Sequence, residues 1–131
     1  MKDQVVRLLA ALGYTEITAN DQIILAFALQ KVENFVKNEI NWNSIPKGLE
    51  EVVVCRVIGE FLLSKKTFSP DELAMLDLSA ETVKQIQAGD TNFVLGVGEG
   101  ADTDQKRLDT FINFMLSYGA DQFGAFRKIR W

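Results

Sequence analysis

The sequence predicts a mainly α fold: a compact bundle of about four to five helices with a small β-hairpin and an extended C-terminal tail. Three observations lead there. Apolar residues recur at helical spacing through most of the chain, a Gly89-Asp90 turn separates two apolar stretches, and periodicity fades after Gly119. At 131 residues the chain suits a single domain over 1–131, with a helical body over 1–119, the hairpin near 82–96 and a tail over 120–131. An apolar share of 47% is enough to build a core.

The first helix is expected from Met1 to Leu12. Its apolar residues stand at 5, 6, 8, 9 and 12, and Gly13 is a natural stop. The second is expected within "TANDQIILAFALQKVENFVKNEI", capped by Asn20 or Asp21. Ile24, Ala28, Val32 and Phe35 make its apolar face, and Gln30, Glu33, Asn34, Lys37 and Asn38 make its polar one. "NWNSIP" interrupts, and Pro46 suits the first position of a third helix, "PKGLEEVVVCRVIGEFLLSKK". That helix is apolar around most of its circumference, which predicts a central position; its valine run leaves a strand alternative at 52–54. Ser69, Pro70 and Glu72 have the layout of a capping box for a short helix to about Asp77. In the hairpin, Val83 and Ile86 precede the turn and Phe93, Val94 and Leu95 follow it, although 81–87 also allows a helix. Asp102 or Thr103 is expected to cap a last helix with the stripe Leu108, Phe111, Ile112, Met115 and Leu116, ended by Gly119.

The composition argues against most catalytic chemistry. With no histidine, the chain lacks the commonest general base and metal ligand. Its one cysteine, Cys55, lies in an apolar run and reads as a buried, inert thiol. The glycines 96, 98 and 100 of "GVGEG" give G-x-G-x-G, which is neither a dinucleotide fingerprint nor a P-loop. "DTDQKRLD" opens like a calcium loop, but Lys106 and Arg107 stand where a ligand and the glycine are needed. The adjacent acids Glu50-Glu51 and Asp71-Glu72 point in different directions on a helix, so neither pair is a catalytic dyad. No catalytic residue, cofactor or metal site is expected. The opening "MKDQVVRLLAALGY" reads as an amphipathic helix instead of a signal peptide, and no apolar run reaches the length of a membrane span.

The close of the sequence is different in kind. Phe126, Arg127, Lys128, Ile129, Arg130 and Trp131 crowd three cations and two aromatics into a chain whose net charge is −4. Trp and Arg are the residues most enriched at interface hot spots, so this tail is a candidate partner-binding segment. The bland alternative is that it folds back and plugs its own core.

Taken in order, these segments resemble the head–tail connector (adaptor, head-completion) proteins of tailed bacteriophages and prophages. The resemblance is carried by Ile45, Pro46, Gly48, Leu49, Glu50 and Val53 ahead of a long apolar helix, by Gly89-Asp90, and by the ending "FRKIRW". It covers most of the chain. It implies a ring, commonly of twelve copies, beneath the portal protein of a filled capsid. The ring would extend the DNA channel and offer a docking surface to the next connector or tail protein. Partners would be the portal, neighbouring copies and that next protein. DNA would pass through without sequence-specific binding, and no membrane would be involved. The protein would assemble in the bacterial host cytoplasm and end in the virion neck. Gly89, Asp90, Gly96, Gly98, Glu99 and Gly100 become candidate channel or inter-subunit loop residues, and the tail a candidate portal contact. A negative net charge suits a conduit that DNA must slide through. The rival reading is a small helical regulatory or DNA-binding module using its basic tail on phosphate. No helix has the basic recognition face that such a module needs.

Overall fold

A computed structural model describes residues 2–76 and 104–127. The described chain is mainly helical. The expected hairpin near 82–96, the glycine loop at 96–102 and residues 128–131 lie outside it.

Helix α1 (Lys2–Ala11) buries Val5 and Leu9, one turn apart, and Leu12 and Tyr14 follow them into the core. Gly13, at φ 103°, ends it where the sequence placed the stop. Helix α2 (Ala19–Ile40) is capped by Thr18 and not by Asn20 or Asp21. The Thr18 hydroxyl accepts the Asp21 N–H at 3.1 Å, and the Asp21 carboxylate accepts the Thr18 N–H at 3.2 Å. Asp21 is therefore the third residue of the helix, closing a reciprocal box from inside it. The buried stripe of α2 runs Asp21, Leu25, Ala28, Val32, Val36 and Ile40. Ala28 and Val32 were expected there. Ile24 is only half-buried, and Phe35 sits at the edge of the stripe, 45% exposed.

Asn41 takes a left-handed conformation (φ 60°) and turns the chain out of α2, while the Trp42 N–H still reaches the Lys37 carbonyl at 3.2 Å. Pro46 is extended and precedes a 3₁₀ turn, Lys47–Leu49, so it stands just before the helical run and not at its first position. Helix α3 (Glu50–Phe68) follows. Val52, Val53 and Val54 are helical and buried, which removes the strand alternative. As its all-round apolar character predicts, α3 is central: it touches α1, α2, the flanking 3₁₀ turns and α4 (Asp104–Leu116).

The Ser69 capping box does not form. Pro70–Met75 is a 3₁₀ helix, Ser69 makes no side-chain cap bond, and Glu72 turns instead to Lys65. In α4, Phe111, Ile112 and Met115 are buried with Leu108 and Leu116 packed beside them, matching the expected stripe. The crossing with α3 is close: a Cβ on Gly59 would lie 2.9 Å from the Leu116 backbone nitrogen. Gly119 is left-handed at φ 74°. The tail is not extended from 120. Ala120–Gln122 forms a 3₁₀ turn and Phe123–Phe126 a short helix, α5, with extended backbone reached only at Arg127. The reason lies in Phe123, which is buried and holds that segment on the body. Among the described residues, no helix is long and apolar enough to cross a membrane.

Candidate interaction site

Two polar or aromatic constellations stand out, one at each end of the antiparallel α2–α3 pair. Where α2 ends, the root of the C-terminal segment docks. Phe123 packs edge-on against Phe35, ring centroids 6.2 Å apart. The Arg56 guanidinium lies over both rings, at 5.3 Å from Phe35 and 5.0 Å from Phe123, and its Nε donates to the Tyr118 carbonyl at 2.8 Å. Partial burial lowers its pKa from the ordinary arginine value, with Glu39 opposing. Arg56 is thus a cation–π bridge from α3 to α2 and α5.

Phe126 comes next. The Trp42 indole N–H donates to its carbonyl, and the two rings meet edge-on at 6.5 Å. A Cβ on Gly48 would lie 2.6 Å from the tip of the Phe126 ring, so glycine is what lets that ring lie against the 3₁₀ turn. Arg127 then reaches back to the end of α2. Its Nε donates to the Glu39 carbonyl at 2.8 Å and its Nη2 faces the Glu39 carboxylate at 3.4 Å. This is cation chemistry at a helix C-terminus, where the dipole favours it. Of the six tail residues singled out in sequence, the structure thus places Phe126 and Arg127 on the protein's own body. Lys128, Ile129, Arg130 and Trp131 lie outside the described residues, as do Gly89, Asp90, Gly96, Gly98, Glu99 and Gly100.

At the opposite end, buried Tyr14, Asp21 and Lys65 form a network with the exposed Glu72 that the sequence reading missed. The Tyr14 hydroxyl donates to Asp21 at 2.7 Å, and the Lys65 ammonium donates to the other Asp21 oxygen at 2.8 Å and pairs with Glu72. Asp21 is fully buried and Lys65 only 4% exposed. Burial pushes the Tyr14 hydroxyl up to about 12, with Asp21 adding to it. Burial alone would also raise Asp21, but its bonds from Lys65, Tyr14 and Thr18 outweigh that and hold it below its ordinary value. Burial would lower Lys65, but Asp21 and Glu72 reverse this and raise it. Every charge faces a partner, so the network is a clamp joining the α1–α2 loop, α2, α3 and the following 3₁₀ helix. The one available signal was Thr18-x-x-Asp21, which has capping-box spacing.

Cys55 is buried, and burial, with Glu51 adding to it, pushes its thiol up to about 12, as expected of an inert cysteine. Among the described residues, no group of three or more acidic or thiol side chains could hold a metal ion. No protein-family model, curated protein or solved structure matches this chain.

Proposed function

We propose that the protein is a structural subunit of a tailed-phage or prophage particle. Copies form a ring beneath the portal, in the neck of the virion, joining head to tail and extending the DNA channel. One observation carries the reading. Two of the three signatures of the resemblance, the turn that carries Ile45, Pro46, Gly48 and Leu49 and the aromatic-basic ending, are far apart in sequence and meet in space. The Phe126 ring lies against Gly48, and Trp42 holds the Phe126 carbonyl. A turn and the root of the tail that lock together form one surface, and the proposal assigns residues 128–131, which follow it in sequence, to a partner. The rival DNA-binding module draws less support, because Arg127, one of the three tail cations, is bound to Glu39.

The test is genetic and visual. Deleting the gene in a producing host should leave DNA-filled heads and separate tails under the electron microscope, and supplying the protein should restore joining. Normal tailed particles without the protein would overturn the proposal. Salt-dependent binding of DNA by the isolated protein would favour the rival.

A further inference from the structure

After Gly119 the chain lies on the body with few anchors. Of residues 120–127 only Phe123 is buried; Phe126 is half-buried and the others are exposed. Helix α4, directly before them, buries Phe111, Ile112, Phe114 and Met115. The segment is fixed by the Phe123 ring against Phe35 and Arg56, by the Phe126 ring against Gly48, by the Trp42 indole on the Phe126 carbonyl, and by Arg127 on Glu39. The Arg127–Glu39 pair is exposed on both sides, so it adds little by itself. Helix α5 is a single turn, and a helix of that length does not hold itself in water. Its helical form is therefore supplied by docking. Gly119, left-handed at φ 74°, ends the preceding run and separates α4 from the segment.

We propose that residues 120–127 form a strap with two states, docked with α5 formed or released with α5 melted, which opens at Gly119 while the helical body stays folded. The closing contacts depend on one another. Phe126 and Arg127 meet Gly48, Trp42 and Glu39 only when Phe123 has set the α5 turn against α2. Losing one anchor therefore weakens all of them, which distinguishes a strap from an end that frays residue by residue. Arg56 stays with the body on release, because its Nε is bound to the Tyr118 carbonyl, ahead of the hinge. Release takes from Phe35, Trp42, Gly48 and Arg56 the cover that the strap gives them. What remains is an aromatic ring with a guanidinium over it, 5.3 Å from the ring centre. A ligand that prefers the released form draws the strap open in proportion to that preference. The strap does not depend on the connector reading.

Amide hydrogen exchange on the full chain, read residue by residue by NMR, tests it. In the parent, the amides that close the α5 turn and the Trp42 indole N–H should exchange through one shared opening. That opening should be about a hundredfold or more easier than the one that exposes the slowest amides of α3 and α4. Urea below the unfolding midpoint should leave the strap signals nearly flat, because releasing eight residues exposes little surface. The slowest α3 and α4 amides should quicken about tenfold per molar. Two variants act on the strap from its two sides. The backbone at Gly48 is not left-handed, and the three atoms nearest to an added Cβ all belong to the Phe126 ring, so Gly48→Ala presses on the strap. Phe126→Ala removes the ring instead. Each should speed the strap opening about tenfold. Strap signals that lack protection in the parent, that differ from one another in their opening, or that rise with urea in step with α4 would each overturn the inference. So would strap exchange unchanged in both variants.

Discussion

Asp21 receives three donors, from Thr18 N–H, Tyr14 and Lys65, while completely removed from solvent. Removing it leaves the buried Lys65 ammonium with only Glu72 and opens the cap at once. Asp21→Ala should therefore cost about 3–5 kcal/mol in denaturant unfolding, the scale of a broken buried ion pair. Tyr14→Phe removes one donor and leaves the others, so about 0.5–1.5 kcal/mol is expected. The pH dependence follows from the directions of the shifts. Asp21 is depressed in the folded state, so its contribution is present above an unfolded value of about 3.9 and is lost as pH falls through the folded one. Tyr14 and Lys65 are raised, so theirs is complete below about pH 10 and fades as pH climbs through their folded values. Stability measured against pH should show a plateau between these limits, and Asp21→Ala should flatten its acidic edge. An acidic edge unchanged in that variant would contradict this account.

At the scale of elements, the crossing of α3 and α4 depends on Gly59. A methyl there would press on the backbone of Met115 and Leu116, at about 3 Å. Backbone cannot rotate away as a side-chain tip can. Gly59→Ala gains up to about 1 kcal/mol of helix propensity and incurs about 1–3 kcal/mol of overpacking, so a net loss of about 1–2 kcal/mol is expected. Equilibrium unfolding that showed stabilisation would mean that the two helices can separate freely. Gly119 presents a different constraint. Its left-handed backbone and the closeness of Val52, 2.4 Å from a would-be Cβ, combine to swing α5 onto α2. Without that turn Phe123 would not reach Phe35 and Arg56.

For the whole molecule, the proposed reading assigns Phe126 and Arg127 to the body and residues 128–131 to a partner. Truncation after Arg127 keeps the Trp42, Gly48 and Glu39 contacts and should leave the melting temperature nearly unchanged. Truncation after Ala125 removes a half-buried Phe and the Arg127–Glu39 pair, roughly 2 kcal/mol of burial and hydrogen bonding, and should lower melting by several degrees. Equal losses from both cuts, read by calorimetry, would contradict this division of labour. The same arithmetic predicts a monomer at micromolar concentration. Burying Trp131 supplies about 1.5–3 kcal/mol, while ordering each tail residue costs about 1–2 kcal/mol. One such contact is weak, and a template that sets many copies side by side makes it stable through effective concentration. Sedimentation at micromolar protein that found a stable closed ring without any portal would refute the templated route.

The helical class, the central position of α3, the α4 stripe and the stop at Gly13 were legible in the sequence because each is fixed locally, by spacing of apolar residues or by one residue's backbone freedom. The chemistry of the tail was legible too: "FRKIRW" stands out by composition alone. The docking of its root, Phe126 and Arg127, on the body was not. That depends on Trp42, Glu39 and Gly48, which lie more than seventy residues away and carry no local mark of their role. Lys65 is a similar case. In sequence it is half of a Lys pair at the end of a helix, and only the tertiary structure sends it inward to Asp21 and Lys66 outward to Asp109. Periodicity reports which face of a helix is apolar, but the partner of a buried charge is decided by how the helices cross, a long-range property that no short window of sequence contains.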